Sequence, residues 1–464
     1  MRLAIAIMAA GKGTRLKSKR PKVLHEIGGS PLLRHVIRAA TQIVSPQDIY
    51  VIVGHEAERV KAAIGDTGVQ FVLQAEQHGT GHAIQCARAS VSGYDTLLVL
   101  SGDVPLIRPE TIARMRDFHF TEEAAMTILT AAPPNPFGYG RVIRQNPDCP
   151  DVTAIVEQKA LTPEQEQAPE INSGIYAFAT RPLFARIAAL QANNAQSEFY
   201  LTDMAQLLVN DGERVVAIEA ESAAEVLGAN TIAEMMELDA TMRMISARKL
   251  MAAGVTIFRP ETVTIDAEVI VGPDTIIEPF VQLLGATRIG EDCKIRSYSV
   301  IETAIIGNEV LVRQGCVIAE STIDDGARIG PYAHVRPGSE LGVGVHVGNF
   351  VETKKVKIGQ GSKANHLTYL GDAEIGSGTN IGAGTITCNY DGVDKFKTTI
   401  GDGVFVGSDS TLVAPITIGD GAFIGAGSCI TEDVPKDALS IGRGRQVTKP
   451  DWAKTKGPKC KVKP

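Results

Sequence analysis

Between Ile289 and Ile430 an aliphatic residue comes back every six positions, usually with glycine behind it, and few backbones obey that period. Ile323, Ile329, Val335, Leu341 and Val347 form one unbroken run, and Ile400, Val406, Leu412, Ile418, Ile424 and Ile430 form another. An α-helix repeats near 3.6 residues and a strand near 2, so neither gathers such a series on one face. A chain that turns a corner after each short strand does. Each side sends one small aliphatic inward, three sides close a coil, and coils stack at the strand spacing of about 4.8 Å. The glycines beside the inward residue, among them Gly290, Gly307, Gly330, Gly348, Gly376, Gly401, Gly407, Gly419 and Gly425, are read as corner residues that need a permissive backbone.

Ahead of the repeat the pattern changes. Residues 1 to 229 alternate short apolar runs with helical patterns, which predicts an α/β domain with a Rossmann-like, mostly parallel sheet. Strands are expected at Leu3 to Met8, Ile49 to Val53, Val69 to Leu73, Thr96 to Leu100 and Ala125 to Leu129. Helices are expected at Leu32 to Val44, Ala57 to Ile64, Gly81 to Ala89 and Glu110 to Phe118. Across 230–253, Ile232, Met235, Met236, Met242, Ile245 and Leu250 recur among charges without a proline, so one connecting helix with a buried methionine-rich face is predicted. Residues 254–464 then hold the prism and a tail. The repeat slips phase once, between Thr387 and Ile400, where Cys388-Asn389-Tyr390-Asp391-Gly392 carries turn chemistry; a loop must leave the prism there.

A formal net charge of −7 without a long basic stripe argues against a nucleic-acid groove. The apolar stretch Leu3 to Ala10 is short and runs into a glycine turn, so neither an export signal nor a membrane span is read, and nothing later approaches the length of a span. Seven cysteines without a CxxC pair fit a reducing, cytoplasmic setting. Lys449, Lys454, Lys456, Lys459, Lys461 and Lys463 crowd the end of the chain with Pro450, Pro458 and Pro464, the composition of a solvated, disordered tail.

Chemistry is first legible at Met8-Ala9-Ala10-Gly11-Lys12-Gly13-Thr14-Arg15, just past the first strand, followed by Pro21-Lys22. Small residues let backbone N–H groups approach phosphates, and Arg15 and Lys22 can neutralise charge that grows during phosphoryl transfer. The third glycine of a dinucleotide fingerprint is Leu16 here, and the GK[ST] ending of a Walker loop is missing. Gln74 and Thr80 fall between a strand and a helix, where a glutamine amide can pair with a base edge. Asp103, in Ser101-Gly102-Asp103, projects from a strand end suited to holding Mg²⁺ against polyphosphate. In the prism, Arg336 and Lys354 are three six-residue sides apart, so they stack on neighbouring coils as a phosphate clamp. His366 lies two sides further on and is a candidate base for deprotonating an amine. Glu352 is near enough in the repeat to orient it. Ser440-Ile441-Gly442-Arg443-Gly444-Arg445-Gln446 is glycine-rich and doubly basic, fit to wrap over coenzyme phosphates.

The N-terminal motifs resemble those of sugar-1-phosphate nucleotidyltransferases. With the hexapeptide repeat behind them, the chain from Met8 to about Arg443 resembles the bacterial bifunctional N-acetylglucosamine-1-phosphate uridylyltransferase and glucosamine-1-phosphate N-acetyltransferase family. That resemblance implies a left-handed prism, although the usual crossover rule favours the opposite hand. It implies uridine nucleotide contacts at Met8, Ala9, Ala10, Gly11, Lys22, Gln74, Gly79, Thr80 and the Ser101-Gly102-Asp103 turn. Sugar contacts are implied at Gly140, Glu157 and Asn172, and Mg²⁺ ligation by Asp103 and Asn230. For the prism it implies His366 as base, Arg336, Lys354, Tyr369 and Asn380 around a sugar phosphate, and acetyl-CoA along Ala383, Asn389, Tyr390, Ser408, Ala426 and Arg443. Substrates would be glucosamine 1-phosphate, acetyl-CoA, N-acetylglucosamine 1-phosphate and UTP, and the assembly a homotrimer serving envelope synthesis. Two other readings stay open: a nucleotidyltransferase whose prism only assembles or regulates, and a zinc site built from His334, His346 and His366 across subunits.

Overall fold

The computed structural model describes residues 2–146, 149–192 and 197–456, and the chain divides between Arg243 and Met244 into two compact units. In the first, Leu3–Ala9 is a central strand because it is apolar on both faces: Ala4, Ile5, Ala6 and Ile7 are fully buried. Alternation sends Ile5 and Ile7 into one core with Leu33, Val36 and Ile37 of the helix Leu32–Thr41, and Ala4 and Ala6 into a second with Ile84 and Ala87 of the helix Thr80–Val91.

The main sheet runs Val215–Glu219, Met126–Ala131, Ile171–Ala179, Thr96–Ser101, Leu3–Ala9, Ile49–Val53, Gln70–Leu73. Leu3–Ala9 therefore has the next strand of this sheet along the chain on one side and a later one on the other. Strand order reverses there, and the carboxyl ends splay into a crevice. All five strands expected from the sequence are present. Absent from the sequence reading is Ile171–Ala179, which inserts antiparallel between Met126–Ala131 and Thr96–Ser101. Its register shifts between Asn172 and Ile175, where Gly174 takes φ 77°; that bulge breaks the alternation that would have marked a strand. The hairpin of Arg141–Arg144 with Val152–Val156 pairs onto its start.

The helix Ile232–Ala252 matches its expected span closely, but not its expected burial. Met235, Leu238 and Met242 are buried in the first unit, and Ala247 and Leu250 join the prism core. Ile232, Met236 and Ile245 are about half exposed. Ile232 and Leu250 point the same way, five full turns apart, yet only Leu250 is covered, so cover changes along the helix and the methionine cluster is not one buried face.

The second unit is a parallel β-helix of the left-handed hexapeptide type. Each coil stacks on the last in parallel register: Ile276 pairs with Lys294, Lys294 with Leu311, Leu311 with Arg328. Coils are thus 17 or 18 residues, and the six-residue rule gives way to five on one side of the shorter ones. Asn380 pairs with Phe405, a longer step that holds the loop expected after Thr387. Ile295, Val312, Ile318, Ile329, Val335, Val347 and Val406 point inward with no exposure, each contributing about 1.5–3 kcal/mol by burial.

The glycines beside these residues serve a different purpose from the one expected. Among the nine named from the sequence only Gly330 has a positive φ, 87°. All the rest but Gly425, which faces the Ile441 side chain, are small because coils touch main chain to main chain: a Cβ on Gly290 would stand 2.7 Å from the carbonyl carbon of Gly307, and one on Gly376 2.6 Å from the nitrogen of Asp402. Corners are turned instead at positions such as Phe280, Tyr298, Tyr332, Phe350 and Leu367, all with positive φ and all exposed. At the end of the described chain, Trp452–Lys456 forms a short helix where a disordered tail was expected; Pro458, Lys459, Lys461, Lys463 and Pro464 lie outside the described residues. Overpacking of this kind costs about 1–3 kcal/mol, so Gly376→Ala is expected to lower the midpoint of prism unfolding in urea by a corresponding amount; an unchanged midpoint would show that the coils have slack.

Candidate functional site

Met8 and Ser101 are register partners on the two central strands, so the glycine loop after one opens beside the Ser101-Gly102-Asp103 turn after the other. Gly102 N donates to Met8 O at 2.9 Å. Between them is a cleft of about 590 Å³ walled by Met8 to Gly13, Arg15, Lys22, Gln74, Gly79, Thr80, Ser101, Asp103 and Asn230. The residues expected at a nucleotide site therefore converge on one crevice, with Gly102 just behind its wall. Gly13, at φ 60°, turns the loop, and a Cβ there would stand 2.7 Å from that of Lys22. Leu201 N donates to Thr80 Oγ1 at 2.9 Å, pinning the helix start beneath the cleft.

The Lys22 ammonium donates to Asn230 Oδ1 at 3.0 Å and is ion-paired with Asp103. One carboxylate and one amide oxygen thus already converge on a positive charge. Mg²⁺ prefers hard oxygens and commonly takes one or two from protein, the rest from water and phosphate, so Asp103 and Asn230 fit it. Among the described residues no group of three His, Cys, Asp or Glu is arranged for a metal.

Gly140, Glu157 and Asn172 gather beside this cleft rather than in its wall. Asn172 N donates to Gly140 O at 2.9 Å, and the Cβ position of Gly140 is 3.5 Å from Glu157 Oε1. Burial raises the Glu157 pKa, Asp203 raises it further, and a hydrogen bond from Thr202 opposes both. Asn172 Nδ2 donates to the buried Tyr176 hydroxyl at 2.9 Å, and its Oδ1 accepts from Gly174 N at 3.2 Å, which fixes the amide.

On the prism, Arg336 N donates to Thr353 O at 2.9 Å, so Arg336 and Lys354 do follow their register partners on adjacent coils. Tyr369 stands in register with Glu352 on the next coil. Glu352 Oε1 accepts from Arg336 Nη1 at 2.7 Å; its partner is the arginine. Lys354 also meets a residue the sequence reading missed, Lys395, which returns from the loop after Thr387. The Lys354 ammonium is held below the ordinary lysine range first by hydrogen bonding to Lys395, then by that charge, desolvation and Arg336, with Asp372 opposing. Asp372 in turn accepts from Asn389 Nδ2 at 2.5 Å, anchoring the loop. The only sequence signal for Lys395 was the phase slip that expelled its loop.

His366 ends a strand of a different face, paired with Asn349, and the chain turns at Leu367 into the strand Tyr369–Ile375 that carries Tyr369. Above it runs a column of corner residues. His366 O accepts from Gly384 N, Ala383 O from Asp409 N at 2.7 Å, Ser408 O from Gly427 N at 2.7 Å, and Ala426 O from Arg443. Ala383, Ser408, Ala426 and Arg443 thus mark one edge over successive coils, which at the strand spacing reaches about 19 Å beyond His366 by Arg443. Asn380 is on the face beside it, paired with Lys363, and Tyr390 sits exposed on the loop. His334 lies in a different sheet from His346 and His366. Burial, then Arg313, Arg328, Lys363 and His366, lower the His346 pKa.

A cleft of backbone amides and cations at an α/β switch point, joined in one chain to a hexapeptide prism with a cationic clamp, defines a transferase with a nucleotidyltransferase and an acyltransferase domain. Residues 5–206 match the family of MobA-like NTP transferase domains, and residues 268–303 and 397–432 match the bacterial transferase hexapeptide (six repeats). The chain is 61% identical over 463 residues to the bifunctional protein GlmU of Koribacter versatilis, covering 100% of this chain and 99% of that one. It is 47% identical to the GlmU of Solibacter usitatus and 46% identical to that of Streptococcus agalactiae serotype V, each over 97% of both chains. The chain belongs to the GlmU family of bifunctional enzymes.

Two ammonium groups and a guanidinium crowd together, with the Glu352 carboxylate on the guanidinium and Asp372 near Lys354. Lys395→Met is expected to weaken inorganic phosphate binding to the prism about tenfold, the loss of one charge-assisted contact, while the anion-free melting temperature holds or rises as repulsion is relieved. Phosphate affinity unchanged, measured by calorimetry, would contradict the clamp.

Proposed function

We propose that the chain makes UDP-N-acetylglucosamine in two steps, acetyl transfer on residues 254–464 and uridylyl transfer on residues 1–229. The observation that carries this reading is the meeting of Lys354 and Lys395 beside Arg336, like charges that a prism used only for assembly does not require. In the first step the phosphate of glucosamine 1-phosphate sits in that clamp, with Tyr369 and Asn380 against the sugar. His366 takes a proton from the substrate's ammonium; the freed amine attacks the thioester carbonyl of acetyl-CoA, a C–N bond forms, the C–S bond breaks, and coenzyme A leaves as the thiol. The coenzyme lies along the column from Ala383 to Arg443, flanked by Asn389 and Tyr390.

In the second step N-acetylglucosamine 1-phosphate binds by Gly140, Glu157 and Asn172, and UTP lies against Met8 to Gly11, Gln74, Gly79, Thr80 and the Ser101–Asp103 turn. A phosphate oxygen of the sugar phosphate attacks the α-phosphorus in line, and pyrophosphate departs. No side chain need act as nucleophile: backbone amides orient the phosphates, and Arg15 and Lys22 offset the charge that builds. Asp103 and Asn230 would hold Mg²⁺, whose chemistry is to neutralise and align the polyphosphate.

We further propose a homotrimer in the cytoplasm. Exposed aromatics at the prism corners support assembly of copies, with Phe280 stacked on Tyr298 at 5.2 Å and Tyr332 on Phe350 at 5.7 Å. Among the described residues no helix is long and apolar enough to cross a membrane.

Separate assays of the half-reactions test the assignment. His366→Ala should lower acetyl transfer at least about a hundredfold and leave uridylyl transfer within about twofold, and Asp103→Ala should do the reverse. Acetyl transfer surviving in His366→Ala would remove the histidine from the chemistry, and no acetyl transfer in the unaltered chain would reduce the prism to an assembly device.

A further inference from the structure

Gln74 follows the strand Gln70–Leu73, is 2% exposed, and forms part of the nucleotide cleft. Its Nε2 donates to Gly79 O at 3.1 Å and to His82 Nδ1 at 3.1 Å. A carbonyl only accepts, which sets the direction of the amide; His82 must then accept at Nδ1 and carry its proton on Nε2. That Nε2–H faces the sulfur of Cys86 at 3.7 Å, and burial raises the pKa of this thiol, so the sulfur is a neutral partner. A primary amide has two N–H donors. Both are engaged within the protein, and Oε1 is the atom left to a ligand.

We propose that His82 is a positioning residue for base selection: by holding Gln74 as an acceptor it favours uracil over cytosine without touching the nucleotide. The inference rests on reading this cleft as a uridine nucleotide site. Uracil offers a ring N3–H, which donates to Oε1. Cytosine offers a lone pair at the same ring position, and two opposed acceptors lose the hydrogen bond and repel. A glutamine free to turn over would present its NH₂ to cytosine instead and blur the choice. His82 removes that freedom, and Gly79 alone engages only one of the two donors.

The test measures kcat and KM of uridylyl transfer by the full chain with UTP and with CTP, at saturating N-acetylglucosamine 1-phosphate. His82→Asn can set its amide oxygen where Nδ1 stood and keeps the acceptor. His82→Gln sets its amide where Nε2 stood and leaves the place of Nδ1 empty. His82→Gln is expected to raise KM for UTP about five- to tenfold with kcat within about twofold, and to cut the UTP-to-CTP ratio of kcat/KM about tenfold. His82→Asn is expected to stay within about twofold of the unaltered chain. Equal behaviour of the two variants, both unimpaired or both impaired, overturns the proposal, since a merely structural role would not separate them. Should His82→Gln not fold, His82→Leu supplies the same missing acceptor. Gln74→Leu separates the two levels: an unchanged KM for UTP strikes the uridine reading itself, whereas a raised one beside a normal His82→Gln strikes the role of His82 alone.

Discussion

One geometric demand underlies the prism. Successive coils approach so closely that main chain meets main chain, and at Gly290 or Gly376 there is no room for a Cβ. That approach lets the hydrogen bonds run coil to coil and keeps the interior narrow enough for one aliphatic per side to fill it. It also makes the outside a lattice with fixed spacing. Side chains far apart in sequence, such as Arg336 and Lys354, are placed on neighbouring coils by register, and a column from His366 to Arg443 becomes a straight edge. A rigid surface of this kind holds a cationic cluster that a looser scaffold would let drift apart.

The two halves meet the same problem, anionic substrates, in different ways. In the first unit the glycine loop at the sheet's switch point brings backbone to the cleft, and Lys22 already rests between the two oxygens, of Asp103 and Asn230, that suit a divalent ion. In the prism, backbone groups are consumed by coil stacking, so side chains carry the charge. Lys395 and Arg336 beside Lys354 hold its ammonium below the ordinary lysine range.

Much of this was legible in the sequence, because the strongest signals were periodic. The coil architecture, the five parallel strands and the span of the long helix all follow from where apolar residues recur. The reading failed where a second constraint overrode the pattern. Ile171–Ala179 was hidden by its bulge at Gly174, so the strand that carries Asn172 was seen only as a motif. The glycines were attributed to corner conformation when close stacking requires them. The helix Ile232–Ala252 was given one buried face, though it contributes to two units and leaves Ile232, Met236 and Ile245 open. Lys395 was missed because its place in the site depends on how a loop folds back, and spacing carries no information about that. Glu352 was paired with His366 on proximity, while a guanidinium one coil away binds it more strongly.

The claim on which the functional account turns is that coil register, with one returning loop, builds a phosphate clamp. A crystal structure of the chain with glucosamine 1-phosphate tests it directly. The account predicts the phosphate within hydrogen-bonding distance of Arg336, Lys354 and Lys395 together. A sugar phosphate bound elsewhere on the prism, with Arg336 still on Glu352 and Lys354 still facing Lys395, would contradict it.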